Sequence, residues 1–347
     1  MIISNLMSQE ILEQAGMLHQ IADRLPASLA PVVQDVHRNP VRCVIIAARG
    51  TSDNAAQFAK YRFETQTGWP VSLAAPSTAT LYHSTVDLRH TLAIGISQSG
   101  HAQDVLEVLQ AARQSGAVTI AVTNDPASPV AQMAAHHLDL CAGPERSVAA
   151  TKTYTASLAV LHGLVSSLQG EHHIDSLHEA ADCVQAVLTH SAAIDAAVER
   201  YRYMPACVSL GRGYNYSTAL EAALKLIETC YVIAKAYSAA DFLHGPIAIV
   251  DSGFPCFLFA PSGAAYPSMR TLHQQLCDRH AESLVFTDTP DDFAGATRTL
   301  PMPACSDERI TPIVYAVAAQ RFACALSHTR GLDPDHPRGL SKVTVTR

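Results

Sequence analysis

Thr91-Leu92-Ala93-Ile94-Gly95-Ile96-Ser97-Gln98-Ser99-Gly100 is an apolar strand run that breaks into small hydroxyl residues. A helical pattern follows it at Val105, Leu106, Val108, Leu109 and Ala112. A strand that ends this way leaves the first backbone N–H groups of the next helix unpaired and aimed at one point. Those donors, the positive end of the helix dipole and two serine hydroxyls together favour an anion such as phosphate. The stretch therefore predicts a strand–loop–helix unit and a ligand with a phosphate handle.

The unit recurs. Arg49-Gly50 follows the strand pattern Cys43 to Ala48 and precedes a helix pattern, and it returns as Arg212-Gly213, 163 residues on. The same offset carries Ser99-Gly100 onto Ser262-Gly263 and Asn124-Asp125 onto Thr287-Asp288. Three landmarks in one register imply two similar halves of βαβ units, hence parallel sheets with helices on both faces. Ligands of such sheets bind beyond the carboxyl ends of the strands, where Ser97 and Thr51-Ser52 fall. In the second half Pro261-Ser262-Gly263-Ala264-Ala265 replaces Gln98-Ser99-Gly100-His101-Ala102, so only the first half is expected to hold a phosphate well. Helical patterns cover residues 7 to 38 and, between the halves, Tyr154 to Leu168 and Leu177 to Val198.

Composition narrows the class. The chain has 347 residues, 48% of them apolar, enough for two ordinary domains with large cores. Its net charge of −7 and the lack of any Lys/Arg run argue against a nucleic-acid surface. No basic n-region opens the chain and no uninterrupted apolar run is of spanning length, so no membrane segment is expected and the location expected is the cytoplasm. The nine cysteines are scattered without Cys-x-x-Cys pairs and read as small core residues. The adjacent pairs His136-His137 and His172-His173 point apart on a helix, so neither a metal nor another cofactor is expected.

Four further segments could carry chemistry. Gly50-Thr51-Ser52-Asp53-Asn54 reads either as a second ligand loop or as a plain helix N-cap. Glu221, Lys225 and Glu228 share one helical stripe, which is either a solvated salt-bridged face or a set of groups useful for proton transfer. The solvated face is the ordinary reading of such a stripe; against it stand the Ala and Leu neighbours, since apolar surroundings raise a carboxylate toward the range of a useful base. His244-Gly245-Pro246 sets an imidazole on a loop, within reach of a ligand or merely at the surface. Asp335-His336-Pro337-Arg338-Gly339-Leu340-Ser341-Lys342 forms a structured-looking tail.

Taken together these residues resemble the sugar isomerase (SIS) family, specifically the isomerase half of glucosamine-6-phosphate synthase. The matching segments are Arg49-Gly50-Thr51-Ser52, Ser97 to Gly100, Val148-Ala149-Ala150-Thr151-Lys152, Leu210 to Gly213, Leu220 to Glu228, His244-Gly245-Pro246, and Asp335 to Arg338 with Lys342. The resemblance implies an α/β fold of two tandem SIS domains, each a parallel sheet flanked by helices in an αβα sandwich. They would span 1–190, with a leading helix, and 191–347, with a catalytic C-terminal tail. It implies a hexose phosphate held by Gly50, Thr51, Ser52, Ser97, Gln98 and Ser99, with Val148, Lys225 and Ser341 also at the sugar. Glu228 would shuttle a proton between C1 and C2, while His244 and Lys342 assist ring opening. The family also implies a homodimer in which His244 serves the neighbouring subunit's site.

The departures are specific. Ala102 stands where the family has a threonine that adds a phosphate contact, and His101 replaces an acidic residue; Ala150 and Ser341 also differ. A chain starting Met1-Ile2 leaves no room for the synthase's glutaminase domain and is expected not to draw ammonia from glutamine. The expected reaction is then glucosamine 6-phosphate to fructose 6-phosphate and ammonia. The alternatives are a fructosamine-6-phosphate deglycase, another phosphosugar isomerase, or a non-catalytic sugar-phosphate-binding regulator.

Overall fold

The computed structural model describes residues 5–82 and 84–342, so Met1 to Ser4 of the opening stretch lie outside it. Two helices lead, α1 (Leu6–Leu12) and α2 (Gln14–Arg38). Then come β1 (Cys43–Ala47), α3 (Thr51–Gln66), β2 (Val71–Leu73), α4 (Ser77–Thr80), β3 (Thr91–Ile96), α5 (Gln103–Gln114), β4 (Val118–Thr123), α6 (Pro129–Met133) and β5 (His136–Asp139). The connection is α7 (Lys152–Leu168), α8 (Ile174–Thr189) and α9 (Ala192–Ala197). The second set is β6 (Ala206–Gly211), α10 (Tyr216–Cys230), β7 (Ile233–Ser238), α11 (Ala239–Leu243), β8 (Pro255–Phe259), α12 (Tyr266–Asp278), β9 (Glu282–Thr287), β10 (Arg298–Pro301) and α13 (Thr311–Thr329). The pattern expected from Leu177 to Val198 is interrupted after Thr189, where α8 ends and α9 begins.

The chain divides into two compact units. Among the described residues, one comprises 16–82, 84–145, 152–178 and 340–342, and the other 5–15, 146–151 and 179–339. Each is built on a wholly parallel five-stranded sheet, ordered β2-β1-β3-β4-β5 in the first and β7-β6-β8-β9-β10 in the second. The two orders are the same, which is what the internal repeat requires. In each, the order reverses beside the first strand of the set, and that switch point is where an open α/β sheet leaves a crevice.

In the first unit, β3 and β4 are buried along their whole length, the signature of central strands covered on both faces. Gly95 in β3 lets α5 come close: a Cβ there would lie 2.6 Å from Leu109 Cδ1. That close seat fixes the start of α5 just beyond the strand's carboxyl end. In the second unit α10 packs against β6, β7 and α13. By length and composition, Glu308–Thr329 could cross a membrane, but 89% of its apolar window is buried inside the protein. Its burial reads as that of a core helix.

Candidate active site

The loop after β3 is a fan of backbone donors. Its carbonyls turn inward: Gln98 O accepts from Asn124 N at 3.2 Å, and Ser97 O accepts from Gly100 N at 3.1 Å. The Ser97 hydroxyl also accepts from Gly100 N, at 3.1 Å. Among the described residues no acceptor meets the N–H groups of Gln98 or Ser99. The start of α5 is uncapped as well, because its N-cap is Ala102 and no side chain bonds there. A helix start with open donors and no cap is a place for an anion. His101 folds back, its Nδ1–H donating to Ser99 O at 2.6 Å.

Across the same switch point, Gly50 turns the chain in the left-handed region (φ 54°) into α3, again without a side-chain cap. Thr51 and Ser52 are half-buried there. Arg49 ties the two loops together, its Nε donating to the buried Asp104 carboxylate at 2.5 Å. Burial pushes Asp53, in the first turn of α3, above the usual carboxylate range, against the pull of Arg49. Gly100 is irreplaceable in this arrangement: its φ is +66°, and a Cβ would sit 2.0 Å from Ser128 Oγ. Gly100→Ala is therefore expected to lower stability by about 1–3 kcal/mol, read from urea melts, and to abolish the Tm increase given by inorganic phosphate. Undiminished phosphate protection in that variant would contradict the loop's role.

The twin loop in the second unit explains its own silence. Ser262 N donates to Asp288 Oδ1 at 2.8 Å and Ala264 N to Glu308 Oε2 at 2.6 Å. The donors that would meet a phosphate are already spent on the protein's own carboxylates. In the first unit Asp125, the repeat partner of Asp288, accepts from Ala127 N in its own turn instead.

In the second unit the stripe on α10 is buried, not solvated. The side chains of Glu221 and Lys225 have no exposed surface, and that of Glu228 is 22% exposed. The Lys225 ammonium donates to Glu228 Oε2 at 2.5 Å and pairs with Glu221 Oε1 at 3.4 Å. One cation thus holds two carboxylates, one enclosed and one half-open. Glu228 Oε1 has no partner among the described residues, so this carboxylate is oriented by one oxygen and open at the other. α10 ends at Tyr231 in the left-handed conformation, and Arg338 of the tail stacks on that ring at 3.8 Å. Asp335 accepts from Leu6 N and Met7 N at the start of α1, which anchors the tail segment.

The remaining candidates fall as follows. His244 ends α11 on an exposed turn before Gly245, with no side-chain partner among the described residues. Val148 is half-buried, and neither its N–H nor its C=O meets a described partner. Glu10 accepts from Arg146 N and Ser147 N beside it. Ser341 is exposed. Lys342, in the first unit, donates to Glu145 Oε2 at 3.0 Å. Sequence reasoning passed over Glu145 and Asp104 and used Arg49 only as a landmark of the repeat; a lone acidic residue carries no pattern that marks it. Among the described residues no cluster of three or more His, Cys, Asp or Glu is placed to hold a metal.

Comparison with known proteins agrees in type. Residues 40–167 and 207–330 each match the SIS domain. A glutamine–fructose-6-phosphate aminotransferase (isomerizing) of Methanothermobacter thermautotrophicus is 34% identical over 325 residues, covering 90% of this chain and 53% of the relative. The chain thus spans about half the length of the curated relatives it matches. Among solved structures, a Silicibacter pomeroyi protein provisionally named a phosphosugar isomerase is 31% identical, with a TM-score of 0.86 over 96% of this chain and 100% of the other. The C-terminal domain of glucosamine-fructose-6-phosphate aminotransferase from Francisella tularensis is 25% identical, with a TM-score of 0.87 over 97% and 99%.

Proposed function

Because the chain belongs to the SIS-domain family, we propose that it is an amino-sugar phosphate isomerase that converts glucosamine 6-phosphate to fructose 6-phosphate and ammonia. The observation that carries this reading is Glu228, oriented through Oε2 by a buried lysine and open at Oε1. A proton moved between adjacent carbons needs one base that can reach both, held in place but not enclosed. A protein that only sensed a sugar phosphate would have no use for such a group.

In this reading Gly50, Thr51, Ser52, Ser97, Gln98 and Ser99 hold the phosphate, and Val148, Lys225 and Ser341 contact the sugar. His244 and Lys342 pass the protons that open the ring, which needs a proton delivered to O5 and one taken from the C1 hydroxyl. Glu228 then removes the C2 proton of the open-chain aldose and returns it to C1. With a second proton passing from the amine nitrogen to the C1 oxygen, the product is a C2 imine with a C1 hydroxyl, and one water hydrolyses it to the ketose while ammonia leaves. We assign the chain to the cytoplasm and to a homodimer in which His244 serves the partner's site. Full activity in a species that light scattering shows to be monomeric would contradict that last assignment.

A substrate panel tests the proposal. Glucosamine 6-phosphate is expected to be consumed with release of ammonia, and unphosphorylated glucosamine to be left at least a hundredfold more slowly converted. Faster turnover of fructosamine 6-phosphate would replace the deaminase reading with a deglycase. Binding of every phosphosugar, seen as a Tm shift, without turnover of any would make the chain a regulator.

A further inference from the structure

Glu145 is a carboxylate with no exposed side-chain surface, at a position where nothing in the sequence pattern demands one. Thr153, in the first turn of α7, gives it two hydrogen bonds: the backbone N–H at 3.0 Å to Oε1 and the hydroxyl at 2.8 Å to Oε2. The positive end of α7 lies at the same carboxylate. The Lys342 ammonium also meets it, 3.0 Å from Oε2, on a side chain that is 27% exposed.

The asymmetry of this pair decides its use. A partly exposed lysine ordinarily samples many rotamers, and an exposed partner would hold it weakly. Glu145 is different because its desolvation and its rotamer are already settled by Thr153 and α7. Lys342 meets a fixed, oriented charge and loses its freedom without Glu145 having to lose any. For a charge at a helix start Glu145 is more than a cap, since Thr153 uses only part of its acceptor capacity and Oε2 is shared with the ammonium.

We propose that Glu145 is the positioning residue for Lys342: it holds the ammonium in one place for the ring-opening step. The inference rests on the reading of Lys342 as a ring-opening group. Glu145 itself touches no substrate in this account. Replacing its charge should release the lysine and slow the reaction of the cyclic sugar while leaving phosphate binding intact.

The experiment uses the full chain and four variants, Glu145→Gln, Thr153→Val, Lys342→Met and the double Glu145→Gln/Lys342→Met. Trypsin cleavage after Lys342, followed by intact mass, reports whether that side chain is held. Glu145→Gln is expected to be cut there at least tenfold faster, and its kcat for glucosamine 6-phosphate to fall at least tenfold with KM changed less than threefold. Thr153→Val removes a hydrogen bond to the start of α7 but leaves the carboxylate, and is expected to keep kcat within threefold of wild type. The double variant is expected to be no slower than Lys342→Met, because two residues acting through one step are not additive. Thr153→Val falling as far as Glu145→Gln, or Glu145→Gln showing wild-type cleavage and kcat, would overturn the proposal. An inactive Lys342→Met beside a fully active Glu145→Gln overturns it alone. Wild-type kcat in Lys342→Met removes the ring-opening role of the lysine and this proposal with it.

Discussion

Glu228→Gln is expected to lower kcat for ammonia release from glucosamine 6-phosphate by about 10²–10⁴-fold, the usual worth of a positioned acid–base group. The amide keeps the size of the carboxylate and can still accept a hydrogen bond from Lys225, which now reaches Oε2 at 2.5 Å. What disappears is the ability to take a proton from C2 and return it to C1. Lys225 keeps the Glu221 carboxylate and the new amide oxygen as partners, so Tm should fall less than in Lys225→Met. KM should change much less than kcat, since the phosphate loop supplies the binding. The measurement is a coupled ammonia assay on protein shown by circular dichroism to be folded. A variant within threefold of wild type would place the base elsewhere.

Lys225→Met has the largest expected effect on stability, a loss of about 3–5 kcal/mol, as when one partner of a buried ion pair is removed. Glu221 has no exposed side-chain surface and would lose the ammonium that lies 3.4 Å from it. Water cannot compensate inside the packing of α10 on α13 and β7. The physical cause is charge and not volume, and a second variant separates the two. Glu221→Leu/Lys225→Met takes both charges out and should recover most of the stability, because an apolar pair in a core can equal or exceed a buried ion pair. Activity should not return, since Glu228 has lost its orienting cation. Urea midpoints of the three proteins provide the comparison. A single variant within about 1 kcal/mol of wild type would mean that the enclosed carboxylate does not depend on Lys225.

Much of this arrangement could be read from the chain before any coordinates. Local pattern was enough for the doubled strand–loop–helix unit, because Arg49-Gly50 and Arg212-Gly213 keep register with Ser99-Gly100 and Ser262-Gly263, and both sheets have the same strand order. The parallel topology follows from apolar runs such as β4, buried at every residue. The loop at Ser97 was legible for the same reason, as its donors come from backbone and small hydroxyls at a strand end. The state of the α10 stripe was not. Glu221, Lys225 and Glu228 at helical spacing describe a solvated face equally well, and only the packing of α13 and β7 decides between them. The silence of the twin loop was half legible: its lost hydroxyls are in the sequence, but the capture of its N–H groups by Asp288 and Glu308 is tertiary. Glu145 was invisible for the same reason, since its partners lie 8 and 197 residues away along the chain. The break after Thr189 was missed because the apolar spacing runs on through α9.

In the proposed reaction one open carboxylate on a buried cationic support isomerises a C2-amino sugar phosphate. The most direct measurement follows ammonia and fructose 6-phosphate together in one sample of the wild-type chain given glucosamine 6-phosphate. The two are expected in equal amounts at every time point, and both should vanish in Glu228→Gln. Substrate that binds and raises Tm but yields neither product, or equal yields from Glu228→Gln and wild type, would contradict it.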